Sequence, residues 1–304
     1  DEDTSVVVNI LENDTRADGD PLVGATLLSV GAATNGDVEI LAQQELITFS
    51  GAGASVTYTL SVNGEEISYR GLSYEDAPAV ALKIVEAINS NAQINSSVVA
   101  SSESAGVVRV SAVQTGQPFT ISEDDSNIAI RNDVTNGSVR YTPNANYNGG
   151  DSFTYTVAND AEVPSYSSAT VRVDVTAVND GPTTVADFGT VVSSAGTSVR
   201  VLSNDSDIDG DTLSITEVTF EGRTHEISGE TTITGATTGS QLVINPANGR
   251  ISFVPESDWY KALSADDVIE KVLSYKAADP SGVESEATSL TLTVQGVNDA
   301  PEVT

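Results

Sequence analysis

The sequence predicts a mainly β protein with two tandem β-sandwiches, the first of them split by an inserted ββαββ module. Three observations lead to this prediction. Aliphatic residues and threonine alternate with polar residues through most of the 304 residues, as in half-buried strands. Four short motifs occur twice in the same order, which indicates an internal repeat. Only residues 74–90 have the spacing of an amphipathic helix.

Composition limits the classes of partner and chemistry. The chain has 44 acidic and 13 basic residues, a formal net charge of -31. This charge argues against nucleic acid and anionic membrane surfaces as partners, and no stretch approaches the 18 apolar residues of a membrane span. The absence of cysteine excludes disulfides and thiolate metal sites. A single histidine, His225, excludes a multi-histidine metal site within one chain.

The first sandwich is predicted to be discontinuous, with residues 1–43 and 131–180. Its strands are expected at residues 4–11, 22–30 and 38–41, and then from residue 137 onward. Residues 1–43 alone are too short for a stable sheet domain. We therefore prefer an insertion to the simpler alternative of three domains in a row.

The inserted module is predicted to span residues 44–130. Two strands joined by Asn63-Gly64 form a hairpin, and a capping box at Ser73-Tyr74-Glu75-Asp76 starts the helix. Val80, Ile84 and Ile88 then recur at helical spacing on one face. Strands at residues 98–100, 107–113 and 118–122 complete the module.

The second sandwich, residues 181–299, repeats the first. Residues 202–205 match 11–14, residues 249–255 match 137–143, and residues 273–275 match 153–155. Residues 297–301 match the linker motif at 178–182, so residues 300–304 are predicted to begin the next linker. We expect the chain to be an internal segment of a longer protein.

An acidic loop occurs in each repeat, and its residues are suited to calcium. The loops are Asn13-Asp14-Thr15-Arg16-Ala17-Asp18-Gly19-Asp20 and Asn204-Asp205-Ser206-Asp207-Ile208-Asp209-Gly210-Asp211. Calcium takes 6–8 oxygen ligands in a flexible shell. An EF-hand is excluded, because Ala25 and Thr216 stand where it needs a bidentate glutamate, and because the flanks are strands. An empty, solvated turn is the alternative for each loop.

The order of these motifs resembles that of bacterial cadherin-like repeats, which occur in tandem in very long secreted adhesins of the RTX type. The motifs are the Asp-x-Asp-Gly-Asp loop, the run Tyr-Thr-Pro-Asn-x-Asn-Tyr-x-Gly-x-Asp-Ser-Phe-Thr-Tyr, and Val-Asn-Asp-x-Pro. The likeness covers residues 1–43 and 137–304, although Trp259 stands where Tyr147 does and residues 256–272 are longer and more acidic. It implies cadherin/Ig-like sandwiches, calcium-stiffened extension and a role in cell adhesion and biofilms at the bacterial cell surface.

Strand direction predicts where the calcium ligands meet. If one strand crosses each sandwich before its acidic loop, the first loop joins Asn179, Asp180 and Asp279 at the junction of the repeats. The second loop then joins Asn298 and Asp299 at the next junction, while Glu2 lies beside the turn at Asn159-Asp160. The predicted metal ligands are Glu2, Asp14, Asp18, Asp20, Asp160, Asn179, Asp180, Asp205, Asp207, Asp209, Asp211, Asp279, Asn298 and Asp299.

Three functions are weighed. The first is a calcium-stiffened spacer whose partners are neighbouring repeats of a monomeric, secreted chain. The second is a segment whose insert binds a sugar or protein on another cell, which would need clustered exposed aromatics. Of the aromatics of the insert, Tyr58, Tyr69, Tyr74 and Phe119, three lie in strand-like runs and are expected in its core, as is Trp259 in the second sandwich. The third, an enzyme, is not predicted, because His225 lies in a strand-like stretch without a nucleophile motif.

Overall fold

The computed structural model describes residues 1–15, 25–50, 56–72, 75–104, 106–123, 125–159, 164–255 and 258–297. The chain divides into two compact units, Asp1–Ala177 and Val178–Thr304. Both are built mainly of antiparallel β-sheet, as predicted. No helix among the described residues is long and apolar enough to cross a bilayer.

Unit 1 contains two hydrophobic cores, one belonging to a sandwich and the other to elements between residues 44 and 134, for which we keep the name insert. In chain order its elements are β1 (Val6–Asn9), β2 (Thr26–Val30), β3 (Gly36–Ile40), β4 (Gln44–Phe49), β5 (Thr57–Val62), β6 (Glu65–Arg70), α1 (Ala77–Ser90), β7 (Val98–Ser104), β8 (Val107–Ala112), β9 (Ile121–Glu123), β10 (Ile128–Val134), β11 (Ser138–Pro143), β12 (Gly149–Ala158) and β13 (Tyr166–Val175).

Among the described residues, the sandwich of unit 1 has two three-stranded sheets, with strand orders β1-β11-β3 and β13-β12-β2. Its core is formed by side chains on both sides of the insert in sequence, among them Leu27, Tyr141 and Phe153. The rings of Tyr141 and Phe153 stack with their centroids 6.4 Å apart. Segments separated by about a hundred residues therefore share one hydrophobic core.

The insert has its own core between α1 and the sheets β10-β4-β8-β7 and β6-β5-β9. Val80, Ala81, Ile84 and Ile88 of α1 are all buried, so the predicted helical face is confirmed. The helix begins at Ala77 because the Asp76 side chain accepts a hydrogen bond from the Ala79 amide and so caps it. Ser73 and Tyr74 lie outside the described residues.

β4 and β10 are strands of the insert that were not predicted from the sequence. They pair antiparallel, with Ile47 opposite Ile130 and Gln44 opposite Val134. The two ends of the insert therefore lie side by side. β10 continues past the predicted boundary at residue 130, and the division into domains at the predicted boundaries remains a prediction.

Unit 2 is a single sandwich. Its elements are β14 (Asp187–Val192), β15 (Thr197–Arg200), β16 (Ser214–Phe220), β17 (Arg223–Glu226), β18 (Thr231–Thr234), β19 (Gln241–Asn245), β20 (Arg250–Val254), α2 (Asp258–Lys261), β21 (Val268–Ala278) and β22 (Thr288–Gln295). The sheets have the orders β14-β22-β21-β16-β17 and β15-β20-β19-β18. β14 pairs parallel with β22, whereas β21 pairs antiparallel with both β22 and β16.

The prediction that Trp259 is a core residue is wrong, because its side chain is 49% exposed. Successive residues of a helix point about 100° apart, so α2 turns only Tyr260 into the core, where it meets the Phe253 ring edge-on at 5.7 Å. The Lys271 ammonium lies 5.3 Å from the centroid of the Trp259 ring.

Candidate functional site

The acidic loop of unit 2 lies at the end where the chain enters that unit. β14 runs away from this end and β15 returns to it, so the loop after β15 comes back to the entering segment. Thr183 and Ser206 exchange two backbone hydrogen bonds of 2.8 and 3.0 Å. The Asp180 amide donates to Asp209 Oδ2 at 2.8 Å.

Asp279, which follows β21, joins the same group. Its Oδ2 accepts a 2.6 Å hydrogen bond from Asn179 Nδ2. Its Oδ1 accepts from the amides of Gly282 and Val283 at 2.7 and 2.9 Å. We use the name acidic cluster for the six residues that these contacts and their charges bring together, which are Asn179, Asp180, Asp207, Asp209, Asp211 and Asp279.

The carboxylates of the acidic cluster influence one another. The pKa of Asp211 is raised, first by partial burial and then by repulsion from Asp207, Asp279 and Asp209. The pKa of Asp279 is instead lowered to about 2, chiefly by the hydrogen bond from Asn179. Within the described residues, Asp207, Asp209, Asp211 and Asp279 form no salt bridge with a basic side chain. The cluster is therefore a concentration of negative charge that a cation would relieve.

The first aspartate of each loop has a different role. Asp205 Oδ2 accepts a 2.9 Å hydrogen bond from the Tyr275 hydroxyl, and its Oδ1 accepts from the Val185 amide at 2.8 Å. In unit 1 the Tyr155 hydroxyl donates to both oxygens of Asp14, at 2.9 and 2.8 Å. Asp14 and Asp205 thus fasten their loops to a long strand of the sandwich.

This role of the two tyrosines was not predicted from the sequence. Tyr155 and Tyr275 were visible only as matching positions of the repeat. The further partner of Tyr275, Asp187 at 2.9 Å, is 88 residues distant in the chain, and no local pattern connects the two.

The predicted position of the second acidic loop is wrong. Asp207, Asp209 and Asp211 lie with Asn179, Asp180 and Asp279, not at the opposite end of unit 2. The physical reason is the unrecognised strand β14: two strands precede the second loop, and each additional crossing moves a loop to the other end of a sandwich.

In unit 1, Glu2 and Asp14 likewise lie at the opposite ends of the sandwich from those predicted. The Glu2 amide donates to the Thr176 carbonyl at 2.9 Å, so Glu2 lies where β13 ends rather than beside Asn159. Asp14 contacts Tyr155, whose strand partner is Ala169 near the start of β13. Asp14 is therefore remote from Thr176. The predicted ligands Asp18, Asp20, Asp160, Asn298 and Asp299 lie outside the described residues.

The oxygen atoms of the acidic cluster suit a hard cation, but its carboxylates are not yet gathered around one point. Asp207 Oδ1 accepts from the Asp209 amide at 2.9 Å, while its buried Oδ2 accepts no hydrogen bond from any described residue. A cavity of about 270 Å³, lined in part by Asp205, Asp207 and Asp211, opens beside it. No three acidic, histidine or cysteine side chains in the described part of the chain already form a metal-binding arrangement. A cation would have to draw these carboxylates together.

Comparison with protein families identifies the domain types. Residues 179–296 match the bacterial cadherin-like domain, and residues 75–176 match the bacterial Ig domain. The second match crosses the predicted boundary at residue 130. Together they identify cadherin-like and Ig-type repeats and indicate an extracellular module of the adhesion or spacer type. No curated protein matches the sequence significantly.

The similar solved structures are cadherins. The chain is 15% identical to chicken VE-cadherin EC1-2, with 55% of this chain and 76% of that one covered and a TM-score of 0.27. Mouse cadherin-23 EC22-24 is 18% identical, with 53% of this chain and 47% of that one covered and a TM-score of 0.32. Drosophila N-cadherin EC1-3 is 15% identical, with 54% of this chain and 50% of that one covered and a TM-score of 0.29. The chain thus spans about half the length of the latter two.

Proposed function

We propose that this chain is a spacer segment of a large bacterial surface adhesin of the RTX type, and that calcium bound at the acidic cluster stiffens it. The observation that carries the proposal is the contact of Asn179 and Asp180 with Asp279 and Asp209. Asn179 and Asp180 follow almost directly on Ala177, the last residue of unit 1. A cation held by these groups would fix the linker on unit 2.

Calcium would supply positive charge and would take oxygen atoms of these side chains as ligands. Asp207, Asp209, Asp211 and Asp279 offer carboxylates, and Asn179 offers an amide oxygen. The Oδ2 of Asp207, which accepts no hydrogen bond from a described residue, and the raised pKa of Asp211 support a cation at this position. Binding would also add stability, because a ligand that binds only the folded state stabilises that state.

The side chains of the insert favour a spacer role over a ligand-binding role. Tyr58 and Phe119 are buried, with 1% and 4% of their surface exposed, and Tyr69 packs against the same core. The large apolar side chains that the described part of the insert does expose, Leu72, Leu82, Val99 and Val113, are aliphatic. They do not form the aromatic platform that a sugar site commonly uses.

Calorimetric titration of the metal-free chain with calcium chloride tests the metal proposal. Wild type should bind, and Asp207→Asn and Asp209→Asn should each weaken binding at the cluster by about tenfold or more. Asp266→Asn is the matched control, because Asp266 is an exposed carboxylate of unit 2 outside the cluster. A wild-type chain that gives no saturable binding, or variants that bind like the control, would refute the site.

Stiffening is tested by a distance distribution between the units. The chain lacks cysteine, so Glu66→Cys and Glu230→Cys, both at exposed positions, introduce one spin label in each unit. Calcium should narrow the distribution of distances between the labels, and Asp209→Asn should prevent the narrowing. If calcium binds but the width does not change, the cluster is a metal site without a role in stiffness.

A further inference from the structure

The outer face of the five-stranded sheet of unit 2 carries a group of exposed apolar side chains. Phe188 and Val192 of β14 are 76% and 42% exposed, and Val272 and Val268 of β21 are 62% and 57% exposed. Strand residues alternate between the two faces of a sheet, so these four side chains lie together on the face turned away from the core. A contiguous apolar surface of this kind marks an interaction site.

Strand pairing arranges this face in rows across three strands, with β22 in the middle. Phe188 and Val272 lie on either side of Thr291. The three rows, each written in the order β14-β22-β21, are Phe188-Thr291-Val272, Thr190-Thr293-Glu270 and Val192-Gln295-Val268. Adjacent strands are about 4.8 Å apart, so the outer members of a row are about 10 Å apart. We use the name outer patch for these nine residues.

The outer patch has few charges on a strongly acidic chain. The formal net charge of the chain is -31, so two copies repel one another where their acidic surfaces meet. Glu270 is the one charged residue of the outer patch. A second copy can therefore approach here without bringing many carboxylates together, and apolar burial favours the contact.

The rows are self-complementary about a two-fold axis that runs along β22. Two patches packed face to face about this axis keep each row in place and exchange its β14 and β21 members. The pairs that meet between the two copies are Phe188 with Val272, Val192 with Val268, and Thr190 with Glu270. Glu270 then faces a hydroxyl that can donate to it. An axis across the strands through the middle row would instead place Glu270 against its own copy.

The position of β14 keeps other carboxylates out of this contact. Glu217 of β16 and Glu226 of β17 lie opposite each other on the far side of the sheet. β14 is the last strand on the other side of the same sheet, so a partner rotated about β22 does not reach them. A patch of three strands is at or below the lower end of the about 1,200–2,000 Å² that stable complexes bury, and we therefore expect association in the micromolar range.

We infer that the outer patch of unit 2 binds a second copy of this chain, through a two-fold contact about β22. The two β22 strands run in the same direction in this contact, so the two copies of unit 2 have the same polarity. The contact uses neither the acidic cluster nor calcium. It therefore holds or fails independently of the proposed stiffening.

Sedimentation equilibrium of the whole chain with chelator, across the micromolar range, tests the contact. Wild type should follow a monomer–dimer equilibrium. Raising sodium chloride from about 0.1 to 1 M shortens the Debye length from about 10 to 3 Å and should tighten the dimer by about tenfold or more. Phe188→Ser should weaken it by about tenfold or more. Tyr166→Ser is the matched control, because Tyr166 is an aromatic of unit 1 with 67% exposure, and it should leave the dimer unchanged.

A charge placed at Thr190 tests the direction of the axis. Thr190→Lys places an ammonium opposite Glu270 of the second copy, twice in each dimer. Association should tighten by about threefold or more relative to Thr154→Lys, which adds the same charge at an exposed position of unit 1. The gain should disappear when Glu270→Gln is added.

Four results would overturn the inference. The first is a wild-type chain that stays monomeric at every concentration and salt, as it would if the patch bound a different partner. The second is growth beyond a dimer, because a two-fold contact is closed. The third is an equal effect of Phe188→Ser and Tyr166→Ser. The fourth is weaker association of Thr190→Lys than of Thr154→Lys.

Discussion

Tyr275→Phe should destabilise unit 2 strongly, because it removes one hydroxyl that the buried Asp187 and the partly buried Asp205 share. The Tyr275 hydroxyl lies 2.9 Å from Asp187 Oδ2, 2.9 Å from Asp205 Oδ2 and 3.0 Å from Val201 O. Burial, followed by these two carboxylates, raises the pKa of the phenol, which therefore stays protonated and able to donate.

The magnitude follows from what remains after the hydroxyl is lost. A hydrogen bond to a charged group contributes about 1.5–3 kcal/mol, and the cost is greatest where the partner stays buried. Asp187 is 7% exposed. We therefore expect a loss of about 2–3 kcal/mol. With a denaturant slope of about 2 kcal/mol/M, the urea midpoint should fall by about 1–1.5 M.

The chain provides its own reporter and control. Trp259 is the single tryptophan and belongs to unit 2, so its fluorescence follows the unfolding of that unit. Tyr155→Phe is the matched variant in unit 1, where the hydroxyl binds the partly exposed Asp14. It should leave the tryptophan transition unchanged. If Tyr275→Phe moves the midpoint by less than about 0.3 M, the hydroxyl does not hold the loop, and our account of Asp205 is wrong.

Three other outcomes are expected, the first two read from the tryptophan signal. Burial, the largest cause, raises the pKa of Asp187 from 3.8 to about 6. Protonation of Asp187 therefore increases the stability of unit 2 as the pH falls from 7 to 4, and Asp187→Asn should flatten that increase in stability. The pKa of Asp279 is lowered to about 2; Asp279→Asn should therefore destabilise unit 2 at pH 7 more than Asp266→Asn does, with a difference that disappears toward pH 2. An unchanged pH profile in either variant would contradict these assignments. In the insert, Ile84→Ala should cost about 2–5 kcal/mol, whereas the exposed Leu82→Ala should cost less than about 0.5 kcal/mol; equal losses in circular dichroism melts would show that α1 does not pack as described.

Local sequence determined the strands that alternate strongly and the one long helix. The buried face of α1 was readable because Val80, Ile84 and Ile88 follow the period of the helix itself. The repeat was readable because the same motifs recur in the same order. Both signals are contained in short stretches of chain, so neither depends on which distant segments pair.

Tertiary structure alone decided which residues share the acidic cluster. β14 contains Asp187 and Gly189, which weaken its strand pattern, and it is stabilised by parallel pairing with β22 about a hundred residues later. Because a missed strand reverses the direction of everything that follows it, the second acidic loop was expected at the wrong end of unit 2. The residue types that suit calcium are a property of the sequence, but their approach to Asn179 and Asp279 depends on a long-range strand pairing that no local pattern encodes.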